Sequence, residues 1–313
     1  MEWFVVSLIN GAVYGLLLFM VSAGLTLVFG MMGVLNFAHA SFYMIGAYAA
    51  FVVSSLFGFW WGLLFGPIFV ALIGLGVERW LLRPVHKYGH ASELLITFGL
   101  AFVFEEFVKV LFGHFIVNYK VPDVLRFPAF QLFGSDYPFY RLFVALVALV
   151  LLGTLFVVLR FTRIGIVVRA AVQRPEMTGA LGHNVSAVFM VTFGIGAWMA
   201  GVAGAVGGAL LTVNPNMAIE MSILTFVVVI VGGLGSLAGA FIASLLIGLL
   251  TTFSIGISVS LTDIGRMIGL GESLSILGSV ARMNLSTYAS AVPVLVMLLV
   301  LLTRPSGLMG DRR

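Results

Sequence analysis

Apolar residues run along this chain in blocks separated by short polar and basic clusters, with no polar face recurring inside a block. The blocks span 3–29, 39–57, 60–82, 92–113, 140–160, 185–211, 220–258 and 286–303. A bilayer core of about 30 Å takes roughly 20 residues as a helix, and an open sheet would leave edge groups unpaired in lipid. The pattern therefore predicts an all-α, polytopic transmembrane helix bundle with discontinuous helices. Orientation comes from three dense basic clusters, namely Arg79, Arg83 and Lys87; Arg160, Arg163, Arg169 and Arg174; and Arg304, Arg312 and Arg313. Such clusters face the cytoplasm. The loops 114–139 and 259–285 carry Lys and Arg sparsely and are expected outside. Parity then requires the overlong block 220–258 to cross twice, turning near Val231–Gly239, and puts the N-terminus outside. The expected count is nine spans, or eight if residues 1–57 hold a broken or re-entrant element. The first block has no basic n-region and no cleavage site, so it is expected to be a retained span.

Composition agrees with lipid as the solvent. Of 313 residues, 61% are hydrophobic and 9% charged, with a mean hydropathy of +1.18, against about 25% charged in soluble domains. The net charge of +4 lies in topology clusters without interleaved aromatics, which argues against nucleic acid as a partner. With no cysteine, no disulfide, thiolate metal site or catalytic thiol can form. No polar stretch is long enough for a soluble domain, so 1–313 reads as one transmembrane domain. Within it lie a cytoplasmic loop, 160–184, and an external loop, 258–286.

A phosphate-cradling P-loop needs G-x-x-x-x-G-K-[ST], and the dipeptide Gly-Lys does not occur. No H-E-x-x-H, G-x-S-x-G or EF-hand pattern occurs either. No catalytic or metal-binding residue is assigned, and the chain is expected to bind no cofactor and not to be an enzyme. The inside loop holds a short helix with readable punctuation: Pro175 suits the first helical position, Glu176 the positive helix end, and Gly182 the C-terminal cap. Two turns are unstable alone in water. Met177, Ala180 and Leu181 give it a small apolar face, flanked by Arg169 and Arg174. A solvated loop that merely fixes orientation is the plainer reading.

Asn36, His39 and Ser41 stand at the junction of the first two blocks, close to Gly46, as candidates for a translocation pathway at a broken helix. The competing reading is a turn at the inner interface, with Asn36 and Ser41 as caps. In the fourth block, Glu105 and Lys109 have the i,i+4 spacing of an ion pair, and Glu106 is left to snorkel or face a neighbour. Glycine pairs in Gly194–Gly208 and Gly235–Gly239 predict close helix packing.

Four separated stretches together resemble the branched-chain amino acid ABC permeases. They are Gly24–Gly30 with Leu35–His39 and Met44–Tyr48; Arg163-Ile164-Gly165 with Arg169-Ala170, Pro175-Glu176 and Leu181-Gly182; Val231–Ser236 with Gly239-Ala240; and Arg304–Gly310. The resemblance implies the inner-membrane subunit of a bacterial binding-protein-dependent importer. Its partners would be a second permease subunit on a different, paralogous chain, two ATPase subunits holding ATP and Mg, and an extracytoplasmic substrate-binding protein. The 175–182 helix would be the coupling helix, with Arg169, Arg174, Pro175, Glu176, Met177, Leu181 and Gly182 meeting the ATPase. Gly232, Gly233, Gly235, Ser236 and Gly239 would form a glycine hairpin. The solute would be a branched-chain amino acid or a related small polar or carboxylate molecule, since relatives also carry urea, short amides and aromatic acids. Ser258–Ser286 departs from the family by its length. The rival reading is an ion-coupled secondary transporter built on Glu105 or Glu106.

Overall fold

Helices dominate the computed structural model, which describes residues 2–256 and 284–310. In chain order they are α1 (Glu2–Met32), α2 (His39–Phe57), α3 (Phe59–Gly76) and α4 (His90–Phe112). Two strands follow, β1 (Pro128–Leu132) and β2 (Ser135–Pro138). Then come α5 (Phe139–Phe161), α6 (Arg163–Gln173), α7 (Pro175–Ala180), α8 (Val185–Leu210), α9 (Met217–Gly232), α10 (Leu237–Gly256) and α11 (Val292–Thr303). Among the described residues seven helical stretches are long and apolar enough to cross a membrane: α1, α2, α3 with its continuation to Tyr88, α5, α8, α10, and Ser286–Thr303 containing α11. α4 has the length but carries Glu93, Glu105, Glu106 and Lys109, and α9 has only 16 residues. These nine helices occupy the nine positions read from the sequence, and the overlong block divides into α9 and α10. The expected external segment 258–286 lies, except for its last residues, outside the described residues.

Burial explains which helices are central. Every residue from Gly15 to Val28 of α1 is buried, as is every residue from His39 to Tyr48 of α2, so these helices are enclosed on all sides. α8 joins them through its glycines. A Cβ on Gly46 of α2 would fall 2.6 Å from the Gly201 backbone of α8, so nothing larger than glycine lets these axes approach so closely. α1 and α10 meet in the same way, with Gly248 against the backbone of Gly15. By contrast α5 buries one stripe, Tyr140, Val144, Ala148, Leu151 and Leu155, and exposes apolar Leu146, Leu149 and Val157 opposite it. A helix with apolar residues on both its buried and exposed faces is solvated by lipid.

Two features fix the ends. Exposed Trp60 and Trp61 open α3, and exposed Trp80 lies in the π-helical turn Val77–Leu82 that continues it. At 1.5 Å per residue the two girdles are about 30 Å apart, the thickness of the hydrocarbon core. On the outer side, β1 and β2 pair antiparallel with Leu132 opposite Ser135, and the two residues between, Phe133 and Gly134, both have positive φ, as a type I′ hairpin turn requires. This hairpin is an element the sequence reading did not anticipate. It is tied to α1 where the Tyr137 hydroxyl donates to Asn10 Oδ1 at 3.1 Å and Arg141 bonds the same oxygen.

Candidate functional site

The 160–184 segment is more structured than its sequence suggests. α6 is a separate amphipathic helix whose first turn is capped by the Thr162 hydroxyl accepting from the Gly165 amide at 3.2 Å. The corner between α5 and α6 is tight: a Cβ on Gly165 would lie 2.3 Å from the Leu159 carbonyl oxygen, which accounts for glycine in the Arg163-Ile164-Gly165 motif. After a break at Arg174, α7 opens at Pro175 and ends at Ala180. Gly182, at φ +87°, donates to the Gly179 carbonyl, and His183 to that of Thr178. That pair of bonds is a Schellman motif, which needs a left-handed residue where Gly182 stands. Thr178 turns inward, with its hydroxyl donating to the Arg174 carbonyl at 3.0 Å. Met177 (56% exposed) and Leu181 (79%) point away from this chain's core, and Glu176 is exposed beside them. A two-turn helix thus presents two large, mostly exposed apolar side chains, with the Arg174 guanidinium against the Met177 sulfur at 3.5 Å.

The break between α1 and α2 is not a turn at the interface. His39 Nε2 donates to the Val21 carbonyl oxygen at 2.9 Å, and Val21 lies about 16 Å along α1 from its Met32 end. Residues 33–38 therefore climb back into the bundle before α2 begins. Asn36 stabilises the climb through its Oδ1, which accepts from the Ala38 amide at 3.0 Å, and the Phe37 amide donates to Thr97 Oγ1 of α4 at 3.2 Å. Asn36, His39 and Ser41 are all buried, whereas Gly46 is covered by the Gly201 backbone. Ser22 Oγ, Asn36 Nδ2, His39 Nδ1, Tyr43 OH and Thr225 Oγ1 are buried side-chain atoms without a hydrogen-bond partner. Ser22, Tyr43 and Thr225 were not singled out in the sequence, because one hydroxyl within an apolar run is indistinguishable there from a satisfied one. Buried polar atoms are nearly always paired, so such a group on α1, α2 and α9 marks a seam with polar capacity to spare.

The intramembrane charges are paired. Lys109 Nζ bridges Glu105 at 2.7 Å and Glu106 at 2.8 Å, so the i,i+4 pair of the sequence reading gains its neighbour as a third member. Near the inner end, buried Glu78 accepts from Arg83 at 3.1 Å, and the same guanidinium nitrogen donates to the Ser186 carbonyl at 2.9 Å, joining the end of α3 to the start of α8. Buried Glu93 meets His86 and, at 3.2 Å, His90. No group of three or more His, Asp or Glu side chains is placed to hold a metal among the described residues.

The glycine hairpin and the C-terminal motif form one unit. Gly233 (φ +101°) and Gly235 (φ +84°) turn the chain between α9 and α10, and Ser236 Oγ accepts from the Gly239 amide at 3.1 Å. The segment after α11 lies across this turn: the Leu308 amide donates to the Val231 carbonyl at 2.8 Å, and that of Met309 to Gly232 at 3.0 Å. Cβ atoms on Gly233 or Gly307 would each fall within 2.6 Å of the other segment's backbone. The two motifs, far apart in sequence, are thus halves of one backbone contact.

The sequence profile described as "Branched-chain amino acid transport system / permease component" matches residues 7–301. The high-affinity branched-chain amino acid transport system permease protein LivH of Escherichia coli K12 is 28% identical, over 98% of this chain and 96% of that protein. The corresponding permease protein BraD of Pseudomonas aeruginosa is 26% identical, over 97% and 95%. A probable LivH of Methanocaldococcus jannaschii is 27% identical, over 97% and 92%. No solved structure matches the chain.

Proposed function

Because this chain belongs to the family of branched-chain amino acid transport system permease components, we propose that it is the membrane-spanning half of an ATP-driven importer in a bacterial inner membrane, moving branched-chain amino acids. Its relatives are named for that solute, and they cover the chain almost end to end. The observation that carries the ATP-driven part is α7: a capped two-turn helix that follows Arg169 and Arg174 and exposes Met177 and Leu181 at the end that holds the basic clusters. An ATPase subunit docked there, against Arg169, Arg174, Glu176, Met177 and Leu181, would move the bundle by holding α7 differently in its two states. Only such differential contact shifts a conformational equilibrium. The second permease subunit would cover lipid-facing helices of this one, and an extracytoplasmic binding protein would deliver solute to the outer face.

For the pathway, the seam of Asn36, His39, Ser41 and the unpartnered hydroxyls of Ser22, Tyr43 and Thr225 has the chemistry to meet the polar end of a small amino acid. Gly46 contributes by setting the α2–α8 spacing. A secondary transporter would need a free carboxylate for its ion, and in the Glu105–Lys109–Glu106 cluster both carboxylates are already bonded to the one ammonium, which makes it a poor candidate. The test is uptake into proteoliposomes carrying this chain with its second permease subunit and binding protein, with and without the ATPase subunits. Leucine uptake that requires ATPase and ATP is expected. Gradient-driven uptake without the ATPase would overturn the reading.

A further inference from the structure

A groove of about 610 Å³ runs along the inner end of the bundle, beside the proposed coupling contact, with which it shares Arg169, and apart from the polar seam. Leu152, Leu155 and Phe156 of α5 and Phe241 of α10 form its apolar walls, and Arg160 and Arg169 stand at its rim. Leu152 and Phe156 lie about 6 to 12 Å along α5 from Arg160, so the walls extend into the hydrocarbon while the arginines remain at the level of the headgroups. Arg160 is held over the Phe156 ring at 5.7 Å. Both arginines are exposed, and neither has a carboxylate partner among the described residues. The adjoining α6 adds an independent indication: it exposes Ile164 and Ile166 together with Arg163 and Arg169, the composition of a helix lying in the membrane interface.

We propose that this groove binds an anionic phospholipid of the inner leaflet, with its phosphate on Arg160 and Arg169 and an acyl chain between α5 and α10. The occupant must carry negative charge at the rim and hydrocarbon within, and an anionic phospholipid supplies both from the surrounding membrane. A soluble ATPase supplies no chain for the walls, and a second permease helix would have to bring acidic groups to the headgroup level. The inference is independent of the transported solute.

Native mass spectrometry of the purified full chain, titrated with phosphatidylglycerol or phosphatidylcholine, tests it. Wild type should prefer phosphatidylglycerol on the order of tenfold, and the double variant R160Q/R169Q should lose that preference while keeping its affinity for phosphatidylcholine. R79Q, at a different basic cluster, should leave the preference intact. Equal affinity for the two lipids in wild type, or an unchanged preference in R160Q/R169Q, would overturn the proposal. So would cross-linking of F156C to a second permease or ATPase subunit in the assembled transporter; cross-linking to a photoactivatable phosphatidylglycerol instead would support it.

Discussion

At the scale of single residues, two glycines that both have positive φ have different fates. Gly134, at φ +82°, turns the outer hairpin with no atom near its missing Cβ, whereas Gly233, at φ +101°, lies against the backbone of Gly310 and Gly307. Alanine at Gly134 meets only backbone strain, about 1 kcal/mol. At Gly233 it meets strain of about 1–3 kcal/mol and must also push the C-terminal segment off its bonds to Val231 and Gly232. G233A is therefore expected to lower the melting temperature of the purified protein sharply or prevent its recovery, while G134A shifts it slightly. Equal shifts would show that the contact between turn and C-terminal segment contributes nothing. The packing glycines follow the same reasoning without positive φ, since Gly46 and Gly201 are where α2 and α8 touch backbone to backbone.

Among the elements, α7 bears the clearest consequence. Leu181 is the most exposed of its apolar side chains and lies just past the last helical residue, so a charge there leaves the Schellman cap intact while disabling an apolar contact. L181E is expected to let the assembled transporter hydrolyse ATP while solute uptake per ATP falls about thirtyfold, the loss of one central interface residue of about 2 kcal/mol. Replacement of Glu176 should act in the same direction, and unchanged coupling in both would remove α7 from the contact. This helix was legible from its punctuation, Pro175 and Gly182, because caps are local. The helix ahead of it, α6, was not read as a helix: its arginines looked like topology signals, and its apolar residues fall short of a span. The hairpin β1–β2 was hidden for a different reason, since the turn places Phe133 at φ +50°, where sequence rules expect Asn or Gly. The climb of residues 33–38 could not be read either. Asn36, His39 and Ser41 are conspicuous in the sequence, but their depth depends on where His39 meets Val21 of another helix. The bond from Leu308 to Val231 is equally nonlocal, though both motifs were visible separately.

For the whole molecule, the contacts sort into two ends that agree with the charge-based orientation. Gly30 against Gly235, Leu308 on Val231, and Arg83 on Ser186 gather at the end that holds the basic clusters. The hairpin on Asn10, and Val117 paired with Val213, gather at the other. Arg79, Arg160 and Arg304 are then expected on one side of the membrane and the hairpin on the opposite side. Because the native chain has no cysteine, it is its own background for accessibility measurements. Cysteines placed singly at exposed Ser135, Glu176 and Leu234 report the hairpin, the coupling helix and the α9–α10 turn. A membrane-impermeant maleimide applied to intact cells whose outer membrane admits it should label S135C, and should label E176C and L234C only after the inner membrane is permeabilised. Labelling of L234C from outside would mean that α9, at 16 residues, turns back without crossing, and the parity that divides the overlong block into two spans would fail.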